Sequence, residues 1–280
     1  MCQECGCGLS GAGLGSGHGP ATGPHAHAHD PAHAHEHDWV AASHAGAHEH
    51  HPGHTSGRLL ELNRSLLEKN ARLAERNRGF FRAKKLLVLN VMSAPGSGKT
   101  TFIRETARRL AGRLRPGVIT GDLATDNDAA ALRAAGIPVV QINTGTVCHL
   151  DAEMVARAAG QLDLDALEVL VIENVGNLVC PADYDLGEDL RVVLLSVTEG
   201  EDKPLKYPPL FHSAHVAVVT KSDLAAAAGF QRELALANLR RISHHAHIFE
   251  VSARTGAGMD AWVDYLEQQR AARGHAQGWL

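Results

Sequence analysis

The stretch "LLVLNVMSAPGSGKTT" (86–101) joins two patterns of different kinds. Its first half is a continuous aliphatic run, the mark of a strand buried on both faces of a parallel sheet. Its second half places Gly96 and Gly98 before Lys99 and Thr100, and helical spacing follows. Strand, glycine-rich turn, Lys-Thr and helix, in that order, form the context in which backbone N–H groups cradle phosphates. Gly96, Ser97, Gly98, Lys99, Thr100 and Thr101 are the candidate phosphate contacts. Lys99 would reach the β- and γ-phosphates, and the Thr100 hydroxyl would bind Mg²⁺. The strict motif starts with glycine where this chain has Ser93. A glycine-rich turn without ligand is the competing reading, and the complete context disfavours it.

Beyond this unit lie six further apolar runs: "GVITGD" (117–122), "PVVQIN" (138–143), "EVLVIEN" (168–174), "RVVLLSV" (191–197), "HVAVVTKSD" (215–223) and "HIFEVSA" (247–253). Helical patterns separate most of them, over 100–113, 126–135, 149–160, 231–242 and 258–272. Strands alternating with helices predict an α/β domain, a mostly parallel sheet flanked by helices, over 85–272. Ligands of such sheets bind at the carboxyl ends of the strands, and the candidate residues of this domain follow strands.

Residues 1–57 differ in texture. They hold no Lys or Arg, five acids and twelve of the 19 histidines, and almost no aliphatic residues. That composition cannot bury a core and is expected to be disordered without metal. Cys2, Cys5 and Cys7 stand at its tip. Residues 58–84 carry Leu59, Leu62, Leu66 and Leu73 near helical spacing, with Gly79 as a late breaker. This predicts an amphipathic helix packing on its own domain or, as the less favoured reading, on a partner.

The net charge of −4 argues against nucleic-acid binding by the whole chain. No run of 18 apolar residues predicts a membrane span, and no signal-peptide pattern opens the chain. The expected compartment is cytoplasmic. There five reduced cysteines suit metal better than disulfides.

"VVTKSDL" (218–224) resembles the Asn-Lys-x-Asp guanine-reading motif of GTPases, with Thr220 in place of Asn. The Asp223 carboxylate can accept from guanine N1–H and the N2 amino group together, and adenine offers neither donor. Lys221 would lie along the base. "VSARTGAGM" (251–259) resembles the Ser-Ala-x loop, in which Ser252 and the Ala253 N–H would face guanine O6. Thr220 forfeits the amide that usually ties this loop to the phosphate loop, so the motif bears on base choice more than on affinity.

"GDLATDND" (121–128) places Asp122 where it could hold Mg²⁺ or its waters, while Asp126 and Asp128 are candidate helix caps. "ENVG" (173–176) resembles the Asp-x-x-Gly switch, with Glu173 in the acidic place and Gly176 offering an N–H to the γ-phosphate. No glutamine is obvious for orienting water, which predicts slow hydrolysis. Lys99, Thr100 and Asp122 are the candidate catalytic residues. Cys148 and His149, with Cys180 shortly after the switch, form a possible three-ligand N/S site for Zn²⁺ or Ni²⁺. Two small buried cysteines and a helix-capping histidine would read the same way.

Taken together, "MCQECGCG", "VMSAPGSGKTT", "NTGTVCHLDAEMV", "IENVGNLVCPADYDLGE" and "LSVTEGEDKPLKYP" resemble the HypB family of nickel-incorporation GTPases. The resemblance covers the N-terminal tip and about residues 70–266. It implies a P-loop NTPase of the SIMIBI type that dimerises with GTP and helps insert nickel into the [NiFe]-hydrogenase large subunit with the chaperone HypA. It further implies a tight nickel site at Cys2, Cys5 and Cys7, and a weaker nickel/zinc site at Cys148, His149 and Cys180. The related urease GTPase UreG carries Cys-Pro-His where this chain has Cys148-His149, and lacks the cysteine tip. Two other readings stand beside this one: a nickel store built on the histidines, and a generic ATPase.

Overall fold

The computed structural model describes residues 53–122 and 127–275. Cys2, Cys5, Cys7, the histidine-rich segment and Asp126 lie outside the described residues. Seven strands form one parallel sheet: β1 (Leu87–Met92), β2 (Pro116–Asp122), β3 (Val139–Asn143), β4 (Val169–Glu173), β5 (Leu190–Ser196), β6 (Val216–Thr220) and β7 (His247–Glu250). Their order is β3-β2-β4-β1-β5-β6-β7. β1, β4 and β6 are buried along their whole length, as aliphatic runs covered on both faces must be.

Helices cover the sheet. α1 (Gly53–Ala83) and α4 (Ala152–Ala159) share a core with Ile119, Leu170 and Ile172, to which α1 contributes Phe81. α2 (Lys99–Leu110), α3 (Asn127–Ala134) and α8 (Met259–His275) pack around Leu89, Val171 and the fully buried Trp262. α5 (Lys203–Lys206), α6 (Pro208–His212) and α7 (Arg232–Ile242) adjoin β5 and β6 through Leu210, Phe211 and Leu236.

α1 passes through Gly79 rather than breaking there. A glycine inside a helix costs about 1 kcal/mol against alanine, and packing of Ala74, Asn77 and Phe81 outweighs it. Asn77 donates to the Ala152 carbonyl at 2.8 Å and to the Leu186 carbonyl at 3.1 Å. Asn70 donates to the Asp185 carbonyl and accepts from the Ala152 N–H. These two amides tie α1 to the start of α4 and to the chain entering β5. Gly187 there has φ 89°, and a Cβ would stand 2.6 Å from the Ala74 carbonyl oxygen.

Candidate functional site

The carboxyl ends of β1, β4 and β6 meet at the start of α2. Gly96 and Gly98 take left-handed φ values of 74° and 94°, which a side chain would strain. No side chain caps α2, so its first-turn N–H groups stand as donors for an anion. Ser93, fully buried, accepts from Lys99 Nζ at 3.1 Å and from the Ser97 hydroxyl, and donates to the Ala94 carbonyl at 2.8 Å. The residue that departs from the strict motif thus holds the lysine in place.

Burial lowers the Lys99 pKa, against the pull of Glu173, Asp128, Glu199 and Asp122. The Thr100 hydroxyl donates to Glu173 Oε1 at 2.7 Å. Burial pushes the Glu173 carboxyl up to about 7. Its Oε2 and the Thr120 hydroxyl are both buried without a hydrogen-bond partner. Thr120 is near enough to ease the Glu173 charge, but its geometry makes no hydrogen bond. Thr100 and Glu173 bring oxygen donors together, and Asp122 is near enough to act on Lys99; oxygen donors are the chemistry that Mg²⁺ takes. Asp128 lies in the first turn of α3.

Glu199, just beyond β5, went unnoticed in the sequence. Its carboxyl is raised by burial, Oε1 has no partner, and it faces Lys203, Lys221 and Lys99. Its place after a strand at this edge was the available signal.

At the far end of the loop, the Thr220 hydroxyl donates to the Ser97 carbonyl at 2.9 Å. Lys221 Nζ donates to the Gly96 carbonyl at 2.7 Å. Thr220 lacks the amide usual at this position, and its hydroxyl makes a tie to the phosphate loop instead. A slot of about 200 Å³ opens beside it, lined by Thr101, Phe102, Lys221, Asp223, Ala253 and Arg254 among others. Asp223 Oδ1 accepts from the buried Ser252 hydroxyl at 2.6 Å, which fixes the carboxylate at the slot wall.

The third element adjoins the "ENVG" turn. A Cβ on Gly176 would stand 3.1 Å from Pro95 Cα, so this turn lies directly against the phosphate loop. Asn177 Nδ2 donates to the Cys148 carbonyl at 3.3 Å. Cys180 Sγ lies 2.8 Å from Cys148 Sγ, and His149 Nδ1 lies 3.9 Å from the latter. Ligand atoms of all three residues fall within 4.8 Å of one another. The cysteines are free thiols and only partly buried. The Cys148 thiol beside Cys180 raises the Cys180 pKa, and burial lowers that of His149. Tyr184 covers the imidazole, with ring centroids 3.8 Å apart. Asp151, not His149, caps α4, accepting from Met154 N at 2.7 Å. The cluster could hold a borderline-soft cation with one position open.

Residues 87–250 match the CobW/HypB/UreG nucleotide-binding domain model. The HypB hydrogenase maturation factor of Escherichia coli K12 is 52% identical over 229 residues, which span 82% of this chain and 79% of that protein. The chain belongs to the HypB family. The probable HypB of Methanocaldococcus jannaschii is 37% identical over 210 residues, 75% of this chain and 95% of its own. Among solved structures, HypB of Helicobacter pylori in complex with nickel matches with a TM-score of 0.70 at 36% identity, covering 73% of this chain and 96% of its own. HypB of Archaeoglobus fulgidus gives 0.68 at 40%, covering 72% and 99%. This HypB family member is a hydrogenase maturation factor with a nucleotide-binding domain. Among the described residues, no helix is long and apolar enough to cross a membrane.

Proposed function

We propose that the chain is a slow GTPase that binds nickel and hands it, in the cytoplasm, toward the [NiFe]-hydrogenase large subunit together with HypA. The observation that carries this reading is one short segment with two contacts. Its Gly176 end abuts Pro95 of the phosphate loop, and its Asn177–Cys180 end meets Cys148. A γ-phosphate that moves this turn moves a metal ligand with it, the kind of order change that GTPase switches use.

Guanine is the base, read by Asp223 with Ser252 behind it and Ala253 beside it. Lys99 and the α2 amides bind the phosphates; Gly96, Ser97, Gly98 and Thr101 complete the cradle. Thr100, Asp122 and Glu173 supply oxygen around Mg²⁺. Cys148, His149 and Cys180 hold Ni²⁺ or Zn²⁺, and a GTP-dependent homodimer would complete the shell. Cys2, Cys5 and Cys7 form the tighter nickel carrier. The twelve histidines of residues 1–57 support a second, compatible role in nickel storage.

The test measures Ni²⁺ affinity of the full chain with GDP and with a non-hydrolysable GTP analogue, then repeats it in a Cys148→Ser/Cys180→Ser variant. The expected result is a nucleotide-dependent affinity that vanishes in the variant. Equal affinity with both nucleotides would overturn the coupling. Base choice is tested separately. GTP at a hundred times its Kd should stabilise by about 2.7 kcal/mol, ATP should not, and Asp223→Asn should shift preference toward xanthosine triphosphate.

A further inference from the structure

Five histidines crowd the opposite edge of the sheet. His212 ends α6, His215 precedes β6, His244 and His245 occupy the turn after α7, and His247 opens β7. All five are exposed. Three of them form a chain of ring contacts: His212 to His245 at 5.5 Å between centroids, and His245 to His244 at 5.2 Å, both edge to face. We propose that His212, His244 and His245 form a further divalent-cation site, of imidazole nitrogen alone, for Ni²⁺ or Zn²⁺.

The hydrogen bonds sort the five rings. His212 Nδ1 lies 3.1 Å from the Ile242 carbonyl oxygen, which can only accept. Nδ1 is therefore the donor, and the neutral ring turns its Nε2 lone pair outward. A carbonyl or carboxylate on one ring nitrogen is the usual second partner of a metal-ligating histidine. His215 is sorted the other way. Its Nδ1 accepts from the Arg191 N–H at 2.9 Å, so its neutral ring carries the proton on Nε2 and has no lone pair to give. His247 leans on Tyr265, with centroids 5.0 Å apart.

Spacing agrees with a shared ion. Two imidazoles bound at about 2.0–2.1 Å in a tetrahedral shell hold their centroids roughly 5 Å apart. The observed pairs are at 5.5 and 5.2 Å. Among the described residues, only the cysteine–histidine group has every ligand atom already within 4.8 Å of the others. The three imidazoles would close on an ion by rotation of exposed side chains. They follow the carbonyl end of the 11-residue α7, whose dipole favours a cation. Arg240 and Arg241 in its last turn oppose one, so the site is weaker than a fully paired His₃ centre.

The site is separate from nucleotide chemistry. β6 runs from His215's neighbour to Thr220, a span of roughly 13–17 Å, and the phosphate loop is at its other end. Metal should therefore bind here without nucleotide, whether or not the cysteine cluster couples to GTP.

Diethyl pyrocarbonate labelling of the full chain with peptide mapping reads each ring separately, so the N-terminal histidines do not obscure it. With Zn²⁺ or Ni²⁺ about tenfold above the site's Kd, labelling of His212 and His245 should fall roughly tenfold, the fraction of sites left empty. His245→Gln should restore labelling of His212, and His247→Gln should leave the protection intact. Persistent labelling of His212 in saturating metal would overturn the site. So would protection of His212 that survives His245→Gln, or protection that His247→Gln abolishes.

Discussion

Asp223 is held by the Ser252 hydroxyl on Oδ1 and faces the exposed Arg254 guanidinium, 3.8 Å from Oδ2. The 2.6 Å bond from Ser252 removes a rotational freedom that the carboxylate would otherwise lose only on meeting a base. Ser252→Ala should weaken GTP binding by about 1 kcal/mol, near fivefold to tenfold, and leave the far-ultraviolet spectrum unchanged. Fluorescent-nucleotide titration reads it. Glu173 sets a pH signature. Its pKa rises from the ordinary 4.5 to about 7 because burial disfavours the charge. The folded chain keeps a proton that the unfolded chain releases between those values. The group's contribution is complete below pH 4.5 and lost as pH rises through 7, up to about 3 kcal/mol. Urea midpoints of nucleotide-free, metal-free protein should fall across that window, and Glu173→Gln should flatten this part of the profile. The residue scale is also where the sequence was hardest to read. Ser93 and Thr220 look like losses from a motif, because a motif records residue types and not partners. In the fold the first anchors Lys99 and the second ties two loops. Such bonds span six and 123 residues, and no local pattern carries the longer one.

At the scale of elements, α1 is fastened by polar side chains as much as by its apolar stripe. Asn77→Ala would leave two buried carbonyls, those of Ala152 and Leu186, short of a donor. The expected cost is about 1–3 kcal/mol in urea unfolding. Gly187→Ala should cost at least as much, since φ 89° and the Ala74 carbonyl both reject a Cβ. All seven strands were legible as apolar runs; β1, β4 and β6, buried on both faces, need no alternation, while the edge strands β3 and β7 are only partly covered. The four- and five-residue helices α5 and α6 were not. They are too short to show a helical period, and Pro204, Pro208 and Pro209 read as breakers although they sit in first turns. Of the Cys148–His149–Cys180 cluster, the three residues were legible; the covering Tyr184 ring and the Pro95–Gly176 contact were not, since both come from packing.

At the scale of the whole molecule, the proposed nucleotide and metal sites share the Gly176–Cys180 turn, and any coupling between them must be reciprocal. Whatever factor a GTP analogue applies to Ni²⁺ affinity, Ni²⁺ must apply to the analogue. Gly176→Ala, which pushes a methyl against Pro95 at 3.1–3.2 Å, should shrink both factors together. Calorimetric titration in both orders checks this, and a factor of one in both orders would mean that the turn does not couple the two ligands. The strand order has a consequence for birth rather than for work. β1 lies at the centre of the sheet, yet both its neighbours, β4 and β5, come far later in the chain. On a ribosome, the phosphate loop emerges attached to a strand with no partner until residue 173 has followed. Such late closure slows folding and leaves an apolar strand edge open to other chains. The first strand made waits for its neighbours while β2 and β3 are still being added, and a nascent chain halted before β4 is a substrate for chaperones and not yet a place for a nucleotide.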